Sequence, residues 1–326
     1  MTAVLPAPPT AAPGEALPLQ LEVAAVADAA PGIRTLVLRH PDDALLPGYA
    51  PGSHVVLTCG ERRNAYSLTG DGAPGQEYRI SVLLCPDGRG GSAFVHGLAV
   101  GDRVAVSRPR SAFAPIASAR HHVLVAGGIG ITPMLSHARA AVRWGRSFEL
   151  VYGHRPGAGA HHEELAALCG DRLAVHESTP AMLDAVAAVL ADRPIGTHVY
   201  VCGPAPLLEF VERTATELGW PPARVHAERF SAADLDPGEP FTAHLARSGV
   251  RVPVPAGVSL LAALEGSGVA VPSMCRQGVC GECRVPVVSG RPLHRDLYLS
   301  ETERAAGDAV VCCVSRSLDD DLELDL

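Results

Sequence analysis

The chain has 326 residues, 47% of them hydrophobic, and a formal net charge of −8. That length supports two or three domains, each burying its own core, and an acidic chain without a basic stripe excludes nucleic acid as a partner. All 27 basic residues are arginine, so any phosphate site must use arginine, hydroxyl groups or backbone amides.

Positions 1–20 are rich in alanine and proline and lack a positively charged start, which reads as a disordered leader and not as an export signal. No run approaches the ~20 apolar residues that span a bilayer. The expectation is a cytoplasmic monomer with no membrane attachment. Over 21–116, short β-rich runs broken by Gly and Pro (33–38, 54–59, 78–83 and 103–106) predict a small antiparallel β-barrel. Inside it, Arg62-Arg63-Asn64-Ala65-Tyr66-Ser67-Leu68 gathers two cations, an aromatic ring and hydroxyls on one strand edge. Such a set can stack on a ring and hold a phosphate, against the plainer reading of a polar strand. Gly90, Gly91 and Ser92 precede a short helix over 93–97 and offer amides to an anion.

Over 117–231, strand candidates at 122–126, 148–152, 173–176, 198–202 and 225–227 alternate with helices, clearest at 133–144 and 206–218. This alternation predicts a parallel, doubly wound α/β sheet. Gly127, Gly128, Gly130, Thr132 and Pro133 join its first strand to its first helix, where amides can approach a pyrophosphate. A tight turn is the competing reading, because the full dinucleotide fingerprint is absent and no acidic residue ends the second strand. The Cys202-Gly203-Pro204 turn after a later strand strengthens the ligand reading, since both loops then fall at the carboxyl ends of strands.

A linker at 232–240, rich in Asp, Pro and Gly, leads to a small α+β unit over 241–326. Its acidic final segment, alternating with leucines, reads as a half-buried edge strand with a charged outer face, with a docking surface as the alternative. Cys275, Cys280 and Cys283 form a C-x4-C-x2-C run, with 29 residues between Cys283 and Cys313. This is the spacing of a plant-type 2Fe-2S cluster, in which one tight loop supplies three thiolates and a distant strand the fourth. A zinc site would use two short-spaced pairs, and a disulfide scaffold fits poorly with nine cysteines. On spacing alone, Cys312 and Cys313 are equivalent as fourth ligand.

Taken in order, N-A-Y-S-L at 64–68, G-R-G-G-S at 88–92, G-G-I-G-I-T-P-M at 127–134, V-C-G-P at 201–204, V-H-A-E-R-F at 225–230, the cysteine run, L-H-R-D at 293–296 and C-V-S-R at 313–316 resemble the phthalate dioxygenase reductase family. The resemblance covers nearly everything after Leu21. It implies a flavin barrel, an NAD domain and a C-terminal β-grasp ferredoxin domain. Tyr66 and Ser67 would contact the flavin, with Gly90, Gly91 and Ser92 near its phosphate. Thr132 would lie at the junction of flavin and nicotinamide, Cys202 beside the nicotinamide and Phe230 near the flavin ring. Cys313 becomes the fourth cluster ligand. Asn64 stands where the family carries Arg, so Arg63 or Arg62 would have to replace it, or the phosphate is held less tightly.

The implied cofactors are FMN, with FAD as the alternative, NADH, with NADPH as the alternative, and a 2Fe-2S cluster. Nicotinamide releases two electrons as hydride and the cluster accepts one at a time, so a flavin must stand between them. The implied acceptor is a Rieske-type oxygenase, with a cytochrome P450 as runner-up. A ferredoxin-type electron carrier without nucleotide turnover is the alternative function.

Overall fold

The computed structural model describes residues 19–326 except 61, 87, 89, 112, 231–235, 274–277, 279, 280 and 297, and except the side chains of Arg62 and Glu301. Cys275, Cys280, the leader up to position 18 and the linker positions 232–235 therefore lie outside the described residues. Three sheets follow one another along the chain, as the fold-class reading expects.

The first holds β1 (Leu19–Ala30), β2 (Ile33–Arg39), β3 (His54–Cys59), β4 (Arg62–Ser67), β5 (Glu77–Leu83) and β6 (Arg103–Val106), with α1 (Gly91–Gly97) between β5 and β6. They pair in the order β4-β3-β6-β1-β2-β5, and a Leu68–Ile80 bridge brings the two ends of that order together. Leu21, Leu36, Leu38, Leu57, Ile80 and Val106 meet inside with no exposed surface. Most of β1 escaped the pattern of short β-rich runs. Its register slips at Val23/Ala25 and again at Asp28/Ala30, which breaks the period of two that makes a strand readable.

The second sheet is parallel throughout, in the order β11-β10-β7-β8-β9, built from β7 (His121–Gly127), β8 (Phe148–Gly153), β9 (Leu173–His176), β10 (Thr197–Cys202) and β11 (Val225–Glu228). Helices α2 (Ile131–Arg143), α3 (His162–Cys169), α4 (Thr179–Ala191) and α5 (Ala205–Glu217) connect the strands. The central strands are Val/Leu-rich because both faces are covered. Helix α2 also braces the barrel. Ser136 Oγ donates to Gly70 O and Arg139 to Thr69 O, each at 2.6 Å, and Arg143 pairs with Asp71 at 2.6 Å.

The third sheet runs β13-β12-β18-β14-β16, from β12 (Phe241–Leu245), β13 (Arg251–Val254), β14 (Arg284–Ser289), β16 (Ala309–Val311) and β18 (Asp321–Leu324). Helices α6 (Leu260–Gly266) and α7 (Glu301–Ala306) and a small ladder of β15 (Pro292–Leu293) with β17 (Arg316–Ser317) complete this part. The expected edge strand is corrected here. β18 is the middle strand, parallel to β12 and antiparallel to β14, with Leu322 and Leu324 fully buried. Its acids do alternate outward, yet they take partners: Asp321 meets His244 at 2.6 Å, Asp325 pairs with Arg247, and Asp319, just before the strand, pairs with Arg291. Arg316 of the C-V-S-R motif is 3% exposed and donates to the carbonyls of Val258, Glu239 and Pro255. That arginine ties the end of the linker to the third sheet.

Candidate active site

The carboxyl ends of β7 and β10 are neighbours in the parallel sheet, and their loops touch backbone to backbone. A Cβ on Gly130 would fall 2.2 Å from the Cys202 carbonyl oxygen, and one on Gly127 would fall 2.8 Å from Leu207 and Pro204. Gly128 adopts φ +55°, a conformation that favours glycine. The side chain of Thr132, 2% exposed, donates to Ile129 O at 3.0 Å, and Pro133 occupies the first turn of α2. The glycines thus make a seam that opens α2 toward the carboxyl ends of β7 and β10. Gly130→Ala is expected to force the two loops apart, an overpacking worth about 1–3 kcal/mol, and to weaken binding of the nicotinamide nucleotide that the resemblance implies roughly tenfold or more. Titration of nucleotide against the flavin spectrum measures it.

Cys202 is fully buried and pairs in register with Glu228 across β10 and β11. Burial, with the neighbouring carboxylate, pushes the Cys202 thiol well above its ordinary value. Glu228 is 8% exposed, its Oε2 has no partner among the described residues, and burial raises its carboxyl to about 8. Sequence reading did not single out Glu228. The available signal was an acid at the last position of a short strand in V-H-A-E-R-F. Phe230 is half-buried two residues further on and packs on the same core group as Cys202 and Ile129. Gly203 is half-buried beside the seam, whereas Pro204 is exposed as the N-cap of α5.

On β4, Asn64 and Tyr66 share a face and Arg63 takes the other, by the alternation of a strand. A Cβ on Gly91 would lie 2.6 Å from the Asn64 amide, so Asn64 closes against the glycine loop at the position where an Arg was expected. Arg63 reaches instead toward Ser273 O at 3.5 Å. The Tyr66 hydroxyl is buried beside the Cys59 thiol. Ser67 is 7% exposed, and Leu68 is fully buried in the barrel core. Gly90 has φ +91°, and Ser92 Oγ accepts from the Cys85 amide at 3.0 Å. A polar amide closing on a glycine-lined loop fits a flavin's phosphate.

Cys283 and Cys313 are 2% and 8% exposed. The Gly278 amide donates to Cys313 Sγ at 3.2 Å, the hydrogen bond that a cluster thiolate accepts. Gly278 and Gly281 both have positive φ. Asp296 of L-H-R-D, buried alongside, accepts from Ser315 Oγ at 3.0 Å and Leu299 N at 2.8 Å, fixing the wall against which Gly278 packs. Cys312 is fully buried in the apolar core, and burial pushes its thiol up. These donors fit a 2Fe-2S cluster.

A barrel with a ring-and-phosphate face, a nucleotide-type seam on a parallel sheet, and a cysteine-bearing α+β unit define the class of iron–sulfur flavoprotein oxidoreductases. Residues 105–225 match the family described as dimethylamine monooxygenase subunit DmmA-like, N-terminal domain, and residues 243–317 match the 2Fe-2S iron–sulfur cluster binding domain. The chain is 45% identical over 314 residues to the heme-dependent oxidative N-demethylase beta subunit of Ectopseudomonas mendocina, covering 94% of this chain and 99% of that one. The solved phthalate dioxygenase reductase superposes with a TM-score of 0.72 at 36% identity, covering 94% of this chain and 98% of that one. An intact type IV self-sufficient cytochrome P450 monooxygenase matches with a TM-score of 0.81 at 35% identity, covering 95% of this chain and 41% of that one. The chain belongs to the phthalate dioxygenase reductase family.

Proposed function

We propose that this chain is an NADH-dependent reductase that passes electrons through FMN to a 2Fe-2S cluster and on to a partner oxygenase. The flavin segment is 21–116, the nucleotide segment 117–231 and the ferredoxin segment 241–326. The carrying observation is the seam of Gly127–Gly130 against Cys202–Gly203, set at the carboxyl ends of β7 and β10 in a chain whose Gly278 amide faces the Cys313 sulfur. When bound, the flavin accepts hydride and releases electrons singly.

The chain's own residues bind and orient. Tyr66, Ser67 and Asn64 with Gly90, Gly91 and Ser92 hold the flavin. The amides of Gly127, Gly128 and Gly130, with Gly203 and Pro204, hold the nucleotide's phosphates. Thr132, Cys202 and Phe230 line the place where nicotinamide meets the flavin ring, and the burial of Thr132 and Cys202 keeps water out. Cys275, Cys280, Cys283 and Cys313 hold the cluster. The 45% identical relative, matched over almost both full lengths, favours a heme-dependent oxidative N-demethylase as partner over a Rieske-type oxygenase.

Anaerobic NADH is expected to bleach both the flavin and the cluster absorbance. If NADH bleaches neither while dithionite reduces the cluster, the chain is an electron carrier and the reductase reading fails. Residues 236–326 carry 13 acidic and 8 arginine residues. Reduction of the partner is therefore expected to slow about tenfold as salt screens a basic docking face, and a salt-independent rate would remove that steering.

A further inference from the structure

Two arginines of the barrel reach the two flanks of the cluster loop. Arg110 Nη1 donates to Glu282 Oε2 at 2.6 Å, and Glu282 directly precedes Cys283. Arg63 Nη1 lies 3.5 Å from Ser273 O, two residues before Cys275. Arg110 is itself held in place by the barrel. Its amide donates to His54 O at 3.0 Å and its carbonyl accepts from His54 N at 2.8 Å, while His54 pairs in register with Ser67 of the flavin motif. Paired backbone thus runs from Ser67 through His54 to Arg110, whose side chain makes the last link to the residue beside a cluster cysteine.

We propose that the Arg110–Glu282 pair is a positioning clamp that holds the cluster loop against the flavin-bearing strands and sets the rate of electron transfer from reduced flavin to cluster. Arg63 at the other flank adds a second hold. The inference rests on the reductase reading above. One electron leaves the reduced flavin and one enters the cluster in the step concerned, and the clamp changes only their separation. Both members of the pair are partly exposed, at 42% and 22%. A pair of that exposure biases docking roughly two- to fivefold and does not lock it, which leaves the third sheet free to turn its cluster toward a partner.

The test uses holoprotein carrying Arg110→Glu, Glu282→Arg and the exchanged double variant Arg110→Glu/Glu282→Arg. Stopped-flow mixing with NADH separates flavin bleaching from the following flavin-to-cluster phase, and small-angle scattering reads compactness independently of turnover. Arg110→Glu is decisive because it leaves the cluster loop's own sequence intact. The expected result is unchanged flavin bleaching, a flavin-to-cluster phase slowed about tenfold by like-charge juxtaposition, and a larger radius of gyration. The exchanged pair restores both. Arg110→Glu with the phase and radius of wild type, or an exchanged pair no better than the single variants, overturns the clamp. Wild-type protein in which NADH bleaches nothing overturns the reductase reading instead, and the scattering comparison still decides the clamp.

Discussion

Cys313→Ser is expected to abolish the cluster's visible absorbance and its paramagnetic signal after reduction, while NADH still bleaches the flavin. Reduction of the partner should fall by more than ~100-fold, a floor set by what the loss of a mere supporting residue does to a metal site. The neighbouring Cys312→Ser should keep the cluster. Its side chain is fully buried among Leu260, Leu261, Leu264 and Val310, so a hydroxyl there costs about 1–3 kcal/mol of stability and little chemistry. The two adjacent cysteines are separated by direction. The Gly278 amide points at the sulfur of Cys313, whereas the Cys312 backbone serves the core, its amide donating to Cys283 O at 3.0 Å and its carbonyl accepting from Leu261 N. Cluster loss in Cys312→Ser with retention in Cys313→Ser would reverse the assignment.

What could be read from the sequence was whatever local chemistry fixes. The cysteine spacing is local, because three ligands share one loop, and so is the glycine run at 127–130, because a strand-to-helix turn needs it. Strands β7 to β11 were legible for the same reason, as short apolar runs between helical stretches. Three features were not legible, and each depends on a partner far away in the chain. β18 reads as an edge strand from its acids, but pairing on both sides places it in the middle, with His244, Arg247 and Arg291 meeting the charges of its segment. Asn64 departs from the expected pattern on paper, and only the fold shows that it closes on Gly91 while Arg63 turns to Ser273. Glu228 is an unremarked acid in the sequence. Its burial, and an Oε2 with no partner among the described residues, exist only once β10 and β11 lie side by side.

Glu228→Gln is therefore expected to stabilise the protein in alkaline solution. The carboxyl's folded-state value is raised to about 8 from 4.5. Between those limits the folded chain holds a proton that the unfolded chain has released, so stability falls as pH rises through the window. Below about 4.5 the two states bind that proton alike and the penalty vanishes. Above about 8 the charged form must be buried with no partner for its Oε2 among the described residues, a destabilisation of a few kcal/mol. Glutamine keeps the shape and carries no charge, so its melting midpoint should exceed that of wild type by several degrees at pH 8.5 and match it near pH 5. A residue that destabilises its own fold beside Cys202 is the kind retained for a site's chemistry. Flavin reduction by NADH should accordingly slow in the same variant that melts higher. Equal melting at both pH values would mean that the carboxyl finds a partner in solution, and a faster hydride step would mean that its charge opposes the nucleotide.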